Sequence, residues 1–286
     1  MADLYTGEPW TLEYSGVMLG GSSAVVVQEV TGLLDAPDVR TSDQTLLQRN
    51  GVEAGSDYLG GRIIHLSLTV LDSPGTLADL LAAFQPTTGD KALRFSVPGV
   101  AGDRGRIMAR VRKRSVPVGS AYGAGAASFD VELFAPDPLL YEDTETTGKL
   151  LPTAPRGSVG IFPMKLPFGF MKAGALFVAQ PAELSVRGNS PTWPVFTITG
   201  PVVNPVILNR RTGERLTVQL TVPTSEVLVI DTRARSVTLN GASRYGALSA
   251  DSTWFPLRPG GNSLEFDDLQ GNKSRFAEVR WRSAWL

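Results

Sequence analysis

The chain has 286 residues, 27 Lys and Arg against 28 Asp and Glu, a net charge of -1 and no cysteine. Disulfides, thiolate zinc sites, iron–sulfur clusters and cysteine nucleophiles are thereby excluded. The charge balance gives no general electrostatic reason to bind nucleic acid or an anionic membrane. The length favours two domains, and 30 Gly with 20 Pro suit short strands joined by turns. Met1-Ala2-Asp3-Leu4-Tyr5 lacks the basic-then-apolar pattern of a signal peptide. No run approaches the roughly 20 apolar residues of a membrane span. The expectation is a soluble chain made in the cytosol.

Period-2 alternation dominates. From Arg62 to Asp72, Ile64, Leu66, Leu68 and Val70 share one face and His65, Ser67 and Thr69 the other, as in a half-buried strand. A single helix follows. Ser73-Pro74 supplies an N-cap and a first-turn proline, Leu77, Leu80, Leu81 and Phe84 recur at helical spacing, and Pro86 and Gly89 stop it. Phe129, Val131 and Leu133 then alternate with Ser128, Asp130 and Glu132. From Tyr141 to about Ala175 the periodicity fails, with Pro152, Pro155, Pro163 and Pro167 opposing regular ladders. This stretch reads as an extended connector whose Ile161, Phe162, Leu166, Phe168 and Phe170 need burial against a domain or a neighbouring subunit.

Strands resume over Val195–Thr199, Val206–Asn209, Arg215–Val222, Val227–Asp231, Ser236–Leu239, Ser263–Phe266 and Ala277–Arg282, with tight-turn signals at Thr212-Gly213 and Asn240-Gly241. About seven short strands at such spacing indicate a β-sandwich. The expected fold is mainly β: an N-terminal β-sandwich with one α-helix over residues 1–141, a Pro/Phe-rich connector over 142–178, and a C-terminal β-sandwich over 179–286.

Catalysis finds little support. His65, the single histidine, lies mid-strand, where a polar face accommodates it; a histidine-rich metal site is impossible. Glu142, Asp143, Glu145, Asp267 and Asp268 could be searched for a glycosidase pair, but all lie in polar, turn-like stretches where acids are solvated. Gly123 to Ser128 approximates a phosphate-binding glycine loop, yet ends in Ser and leads into a strand. No enzyme activity, cofactor or metal is expected.

Two clusters bear on binding. Arg104, Arg106, Arg110, Arg112 and Arg114 share one strand parity, with Ile107, Ala109 and Val111 on the other. This basic stripe reads as a solvated face or as a subunit interface of forked Arg–carboxylate pairs. Nucleic-acid binding is the weakest reading, because no aromatics are interleaved to form a stacking groove. Trp193, Trp254, Trp281 and Trp285 fall in the second half with Tyr245. Trp281 alternates with Ala277 and Val279 as a core residue does, and packing is the main reading for the group. Exposed aromatics can also stack on sugars, which makes Trp193, Tyr245 and Trp254 the candidate glycan contacts.

The order of several segments resembles the siphovirus-type distal tail (baseplate hub) protein family, especially forms from phages of actinobacteria. The segments are Leu59-Gly60-Gly61-Arg62 through Phe84 and Phe129-Asp130-Val131-Glu132-Leu133-Phe134-Ala135-Pro136-Asp137-Pro138. Further along come Phe162-Pro163-Met164-Lys165-Leu166-Pro167-Phe168-Gly169-Phe170 and Trp193-Pro194-Val195-Phe196-Thr197-Ile198-Thr199-Gly200-Pro201, then Asn204-Pro205, Trp254-Phe255-Pro256-Leu257 and Pro259-Gly260-Gly261-Asn262-Ser263-Leu264. One departure is Gly188-Asn189-Ser190, where the family pattern has a glycine after the asparagine. The resemblance implies a homohexameric ring made by the first domains, with a galectin-like or carbohydrate-module-like second domain projecting outward. It implies a virion protein of the tail tip, assembled in the host cytoplasm. The ring would join the tail tube protein to the tail-tip hub and leave a channel that the genome passes without specific binding. Receptor-binding proteins or host glycans are further implied partners, and a host cell-wall glycan-binding module is the alternative function. On this reading Arg104 to Arg114 and Phe162, Phe168 and Phe170 are candidate contacts with a neighbouring subunit or the hub.

Overall fold

A computed structural model of the chain describes residues 8–71, 74–86, 89–152, 181–268 and 275–286. The chain divides into two compact units, Met1–Thr144 with Ala284–Leu286, and Glu145–Ser283. Both are mainly β.

The first unit is laid out as β1 (Thr11–Tyr14), β2 (Val17–Gly20), β3 (Val25–Thr31), then the very short β4 (Val39–Arg40), β5 (Gln44–Thr45), β6 (Val52–Glu53) and β7 (Tyr58–Leu59). There follow β8 (Arg62–Leu71), α1 (Pro74–Ala83), β9 (Lys91–Ser96), β10 (Gly105–Ser115), a single helical turn α2 (Ser120–Gly123), β11 (Ala126–Ala135) and β12 (Leu140–Glu142). The main sheet runs β2-β1-β9-β10-β11-β8-β3, with antiparallel neighbours throughout. The alternation in β8 is realised: Ile64, Leu66, Leu68 and Val70 are buried while His65 is exposed.

Helix α1 covers the inner face of this sheet. Leu80, Ala83 and Phe84 are buried, and the Phe84 ring stacks on Tyr14 at 4.7 Å and meets Phe129 at 5.7 Å in a tilted pair. Tyr14 is on β1 and Phe129 on β11, so one ring joins strands three places apart and the sheet must curve around it. Burial of that kind stabilises by about 2–3 kcal/mol per large side chain. The turn at Ser120–Gly123 is a second, short helical element beyond the single helix expected from the sequence.

The second unit contains β13 (Thr146–Leu150), β14 (Ala182–Val186), β15 (Val195–Thr199), β16 (Val202–Val203), β17 (Val206–Asn209), β18 (Arg215–Thr217) and β19 (Thr221–Val222). It continues with β20 (Val227–Asp231), β21 (Ser236–Leu239), β22 (Ala242–Ser243), β23 (Gly260–Asp267) and β24 (Ala277–Trp281). A six-stranded sheet β13-β24-β15-β20-β21-β22 and a four-stranded sheet β14-β23-β17-β18 supply one core, a sandwich. Phe196, Ile198, Leu228 and Val279 come from the first sheet and Leu184, Ile207, Leu264 and Phe266 from the second. Trp281 is buried in this core, as its alternation with Ala277 and Val279 required.

Three details depart from the sequence reading. Arg215–Val222 is two strands, not one, because Val218 to Leu220 leave the ladder between β18 and β19. Thr146–Leu150, placed in the connector, is a strand paired with β24; its alternation is hidden by Gly148 and Lys149. The last strand, β25 (Ala284–Trp285), belongs to the first unit, where it pairs with β12 through Leu140↔Trp285 and Tyr141↔Ala284. Trp285 packs on the first core, not among the aromatics of the second.

Candidate assembly surface

The arginine stripe is broken by the backbone. Between β10 and β11 the register runs Arg110↔Phe134 and Val111↔Leu133, then resumes at Lys113↔Glu132 and Arg114↔Val131, so Arg112 is an extra residue in a bulge. Parity inverts there. Arg106 and Arg110 keep to the outer face, whereas Arg114 shares the inward register of Val131 and turns to helix α1. Its guanidinium donates to the Leu81 carbonyl oxygen and, at 3.4 Å, to that of Phe84. A cation at a helix C-terminus is favoured by the orphan carbonyls and the helix dipole. Arg114 is therefore a structural cap, and the outer stripe loses one member.

The remaining arginines have partial neutralisation. Arg112 lies with its guanidinium carbon 3.6 Å from the Phe134 ring centre and Arg110 at 5.7 Å, so the ring carries a cation on this face. Arg110 also faces Asp90 at 3.3 Å. Arg106 donates to the Met108 sulfur, and Arg104 is exposed just before β10. Arg94, on β9, approaches both Glu13 and Asp143, at 3.7 and 3.3 Å. The face is a mixed field of charges flanking one aromatic ring.

Beside it, β10, β11, β8 and β3 carry two cross-strand polar rows, Lys113–Glu132–His65–Thr31 and Ser115–Asp130–Ser67–Glu29. They line a shallow trough of about 270 Å³, within which the Ser67 hydroxyl donates to Asp130 at 2.9 Å. His65 thus sits on a solvated polar face. Among the described residues no group of three His, Asp or Glu is arranged to hold a metal ion.

The carboxylates weighed for hydrolysis are dispersed. Glu142 and Asp143 lie in the first unit; Glu145, Asp267 and Asp268 lie in the second. Asp143 faces Arg94 and Glu145 faces Arg280. Burial raises Asp267, opposed by the Asp268 backbone N–H donated to its carboxylate. Of the candidate sugar contacts, Tyr245 is 55% exposed in a turn, while Trp193 and Trp254 are half-buried, Trp254 against the second core. Phe162, Phe168 and Phe170 lie outside the described residues.

Two features escaped the sequence reading. Residues 38–59 form an arm. Its pairs are Val39↔Leu59, Arg40↔Tyr58, Gln44↔Glu53 and Thr45↔Val52, reinforced by Ser42 and Asp43 side chains bonded to the Ser56 and Gly55 backbone. Every residue from Asp38 to Leu59 is exposed except half-buried Leu46. At the root, buried Arg62 donates to the carbonyl oxygens of Gly32, Leu33, Asp35 and Pro138; burial lowers its pKa, opposed by Asp35. Gly32, at φ +78°, is required here because a Cβ would fall 1.9 Å from the Ile63 carbonyl oxygen. Next to the root is an apolar pocket of about 320 Å³ among Trp10, Leu12, Val27, Val30, Leu34 and Val97. Trp10 is 70% exposed. The Asn50-Gly51 turn and the apolar residues scattered between Leu34 and Leu59 were the available signals.

Residues 187–285 match the family described as siphovirus-type tail component, C-terminal domain. The likeness read from the sequence to phage distal tail proteins is borne out. The same likeness holds for the fold of the whole chain. The SPP1 Dit (gp 19.1) protein, described as a paradigm of the hub adsorption apparatus in phages infecting Gram-positive bacteria, is similar over 98% of this chain and 100% of its own, with a TM-score of 0.67 and 16% identity. A chain of the phage P2 baseplate in its activated conformation with Ca is similar over 96% of this chain and 97% of its own, with a TM-score of 0.54 and 10% identity. No curated protein sequence matches.

Proposed function

We propose that the chain is a structural distal tail protein of a long-tailed bacteriophage, working by assembly. It forms a hexameric ring that joins the tail tube to the tail-tip hub around the genome channel, and it resides at the tail tip of the virion. The observation that carries this reading is the co-extensive likeness to SPP1 Dit, 98% of one chain against 100% of the other, which takes in both units. The C-terminal family match supports it independently. Ring closure requires repeated contact between like subunits. The Arg110 and Arg112 face around Phe134 is proposed as one contact with a neighbouring subunit or the hub, alongside Arg104 and Arg106, while Arg114 is occupied at helix α1.

Light scattering and negative-stain imaging of the chain, alone and mixed with its hub partner, test the reading. A six-subunit ring in either condition supports it; a monomer in both overturns it. Arg110→Glu with Arg112→Glu is expected to abolish ring assembly or hub binding, and normal assembly of that variant removes this face from the interface. Host-glycan binding by the second unit is a second reading, favoured only by exposed Tyr245. Retention of cell-wall polysaccharide binding by Tyr245→Ala would exclude that residue.

A further inference from the structure

The sequence contains the dipeptide Asn-Gly twice, at Asn50-Gly51 and at Asn240-Gly241. In such a dipeptide the glycine nitrogen, unshielded by a side chain, can reach the carbonyl carbon of the asparagine side chain. The reaction needs both groups free to rotate into line, so the fold decides which copy reacts. Asn240 is held. With Gly241 it makes the two-residue turn of a hairpin closed by Leu239↔Ala242, at φ of +47° and +80°. Its backbone N–H donates to the Val227 carbonyl oxygen, and its side-chain oxygen accepts the Val227 N–H, each at 2.9 Å.

Asn50 has none of these restraints. It lies in the loop 46–51 between β5 and β6, which is closed by the Leu46 N–H donated to the Gly51 carbonyl oxygen at 3.3 Å. Every residue of the loop is exposed except half-buried Leu46. Among the described residues the Asn50 side chain has no hydrogen-bond partner. A Cβ at Gly51 would meet nothing closer than the Leu46 Cδ1 at 3.9 Å, so its backbone is open to approach. We propose that Asn50 is a site of spontaneous deamidation, and that the turn at Asn240 protects the second dipeptide. The Gly51 nitrogen loses its proton and bonds to the Asn50 Cγ. The Cγ–Nδ2 bond breaks and ammonia leaves, which closes a succinimide. Water then opens the ring. Attack at Cγ gives aspartate, and attack at the backbone carbonyl gives isoaspartate, in which the main chain passes through Cβ and Cγ. In sum an amide and a water become a carboxylate and ammonia; no oxidant, metal or enzyme takes part. Arg49 is the only charged residue of loop 46–51, so the product carboxylate cancels the charge of the loop. The reaction is a property of a single chain and does not rest on the ring reading.

Peptide mapping by mass spectrometry of the full chain, kept folded at mildly alkaline pH and sampled over days, tests the assignment. Conversion at Asn50 is expected to run at least about tenfold faster than at Asn240. In denaturant the two dipeptides are expected to convert at similar rates, because the turn that protects Asn240 is then lost. Equal rates in the folded chain, faster conversion at Asn240, or an Asn50 that stays an amide while folded would each overturn the proposal. If the rates differ as much in denaturant as in the folded chain, neighbouring residues set the difference and the protective role of the turn is wrong. Labelling of the aged, folded chain by an isoaspartyl methyltransferase is expected to fall to background in Asn50→Gln, whose longer side chain closes the ring far more slowly. Labelling that persists in Asn50→Gln places the reaction elsewhere and overturns the assignment.

Discussion

Strand β8 and the arm that precedes it both lie in antiparallel ladders, and they differ in what lies behind the ladder. In β8, alternate side chains from Ile64 to Val70 are at most 2% exposed, and the strand is paired on both sides. In the arm, residues 38–59 have pairing and almost no burial. A hydrogen bond contributes only about 1 kcal/mol net, because the unfolded chain bonds to water instead. Burial of the inward row adds to pairing in stabilising β8, and the arm has pairing with almost no such burial. Root and arm are separated by a few residues, so the boundary is sharp enough to test.

Truncation at the centre of the buried side has the largest effect. Phe84→Ala removes a fully buried ring that contacts both Tyr14 and Phe129. It is expected to cost about 3–5 kcal/mol in chemical denaturation, and a loss below about 1 kcal/mol would place the helix outside the cooperative core. At the boundary, Arg62→Met deprives four backbone carbonyls of their donor and should cost roughly 3 kcal/mol. Hydrogen exchange should accelerate around Gly32–Asp35 before it does in β8; uniform acceleration would mean that Arg62 does not separate the two regions.

Tyr14 gives a pH-dependent measure of the same core. Burial, with Asp90 adding to it, pushes the phenol up to about 12. The unfolded tyrosine ionises near pH 10, so between these values the folded state holds a proton that the unfolded state has released. The associated stability, about 2–3 kcal/mol, is complete below pH 10 and is lost as pH rises towards 12. Tyr14→Phe should flatten that part of the stability profile; an unchanged alkaline slope would assign it to other groups. The smallest effect belongs to the arm. Val52→Ser in the isolated subunit should change stability by less than about 0.5 kcal/mol, and a larger loss would reveal packing by the arm within its own subunit.

What could be read from the sequence follows the same line. Burial writes itself into periodicity, so β8, β11, helix α1 and most strands of the second unit were visible as alternating or helical rows of apolar residues. Trp281 declared its place through Ala277 and Val279. The arginine stripe was half legible: Arg106 and Arg110 obeyed strand parity, but one extra residue at Arg112 reverses every side chain after it, and no residue type marks such a bulge. The arm carried no periodic signal, because an element without a buried face has no face to alternate with. The role of Arg62 depends on carbonyls distant in sequence, notably that of Pro138, and no spacing rule connects them. The serviceable clues were the Asn50-Gly51 turn and a mismatch, apolar side chains in a stretch with no place to put them.

The pairing of β25 with β12 imposes an order on the making of the molecule. Glu145–Ser283 intervene between the two parts of the first unit, so translation must proceed through the whole sandwich before Ala284 and Trp285 exist. At 5–20 residues per second that interval is on the order of ten seconds. Throughout it, Leu140 and Tyr141 wait on the nascent chain with one strand edge bare. A ribosome that stalls short of Ala284 releases a molecule whose second unit is whole and whose first unit lacks its final strand. The free edge of β12 is therefore closed only after the ribosome has read past Trp285.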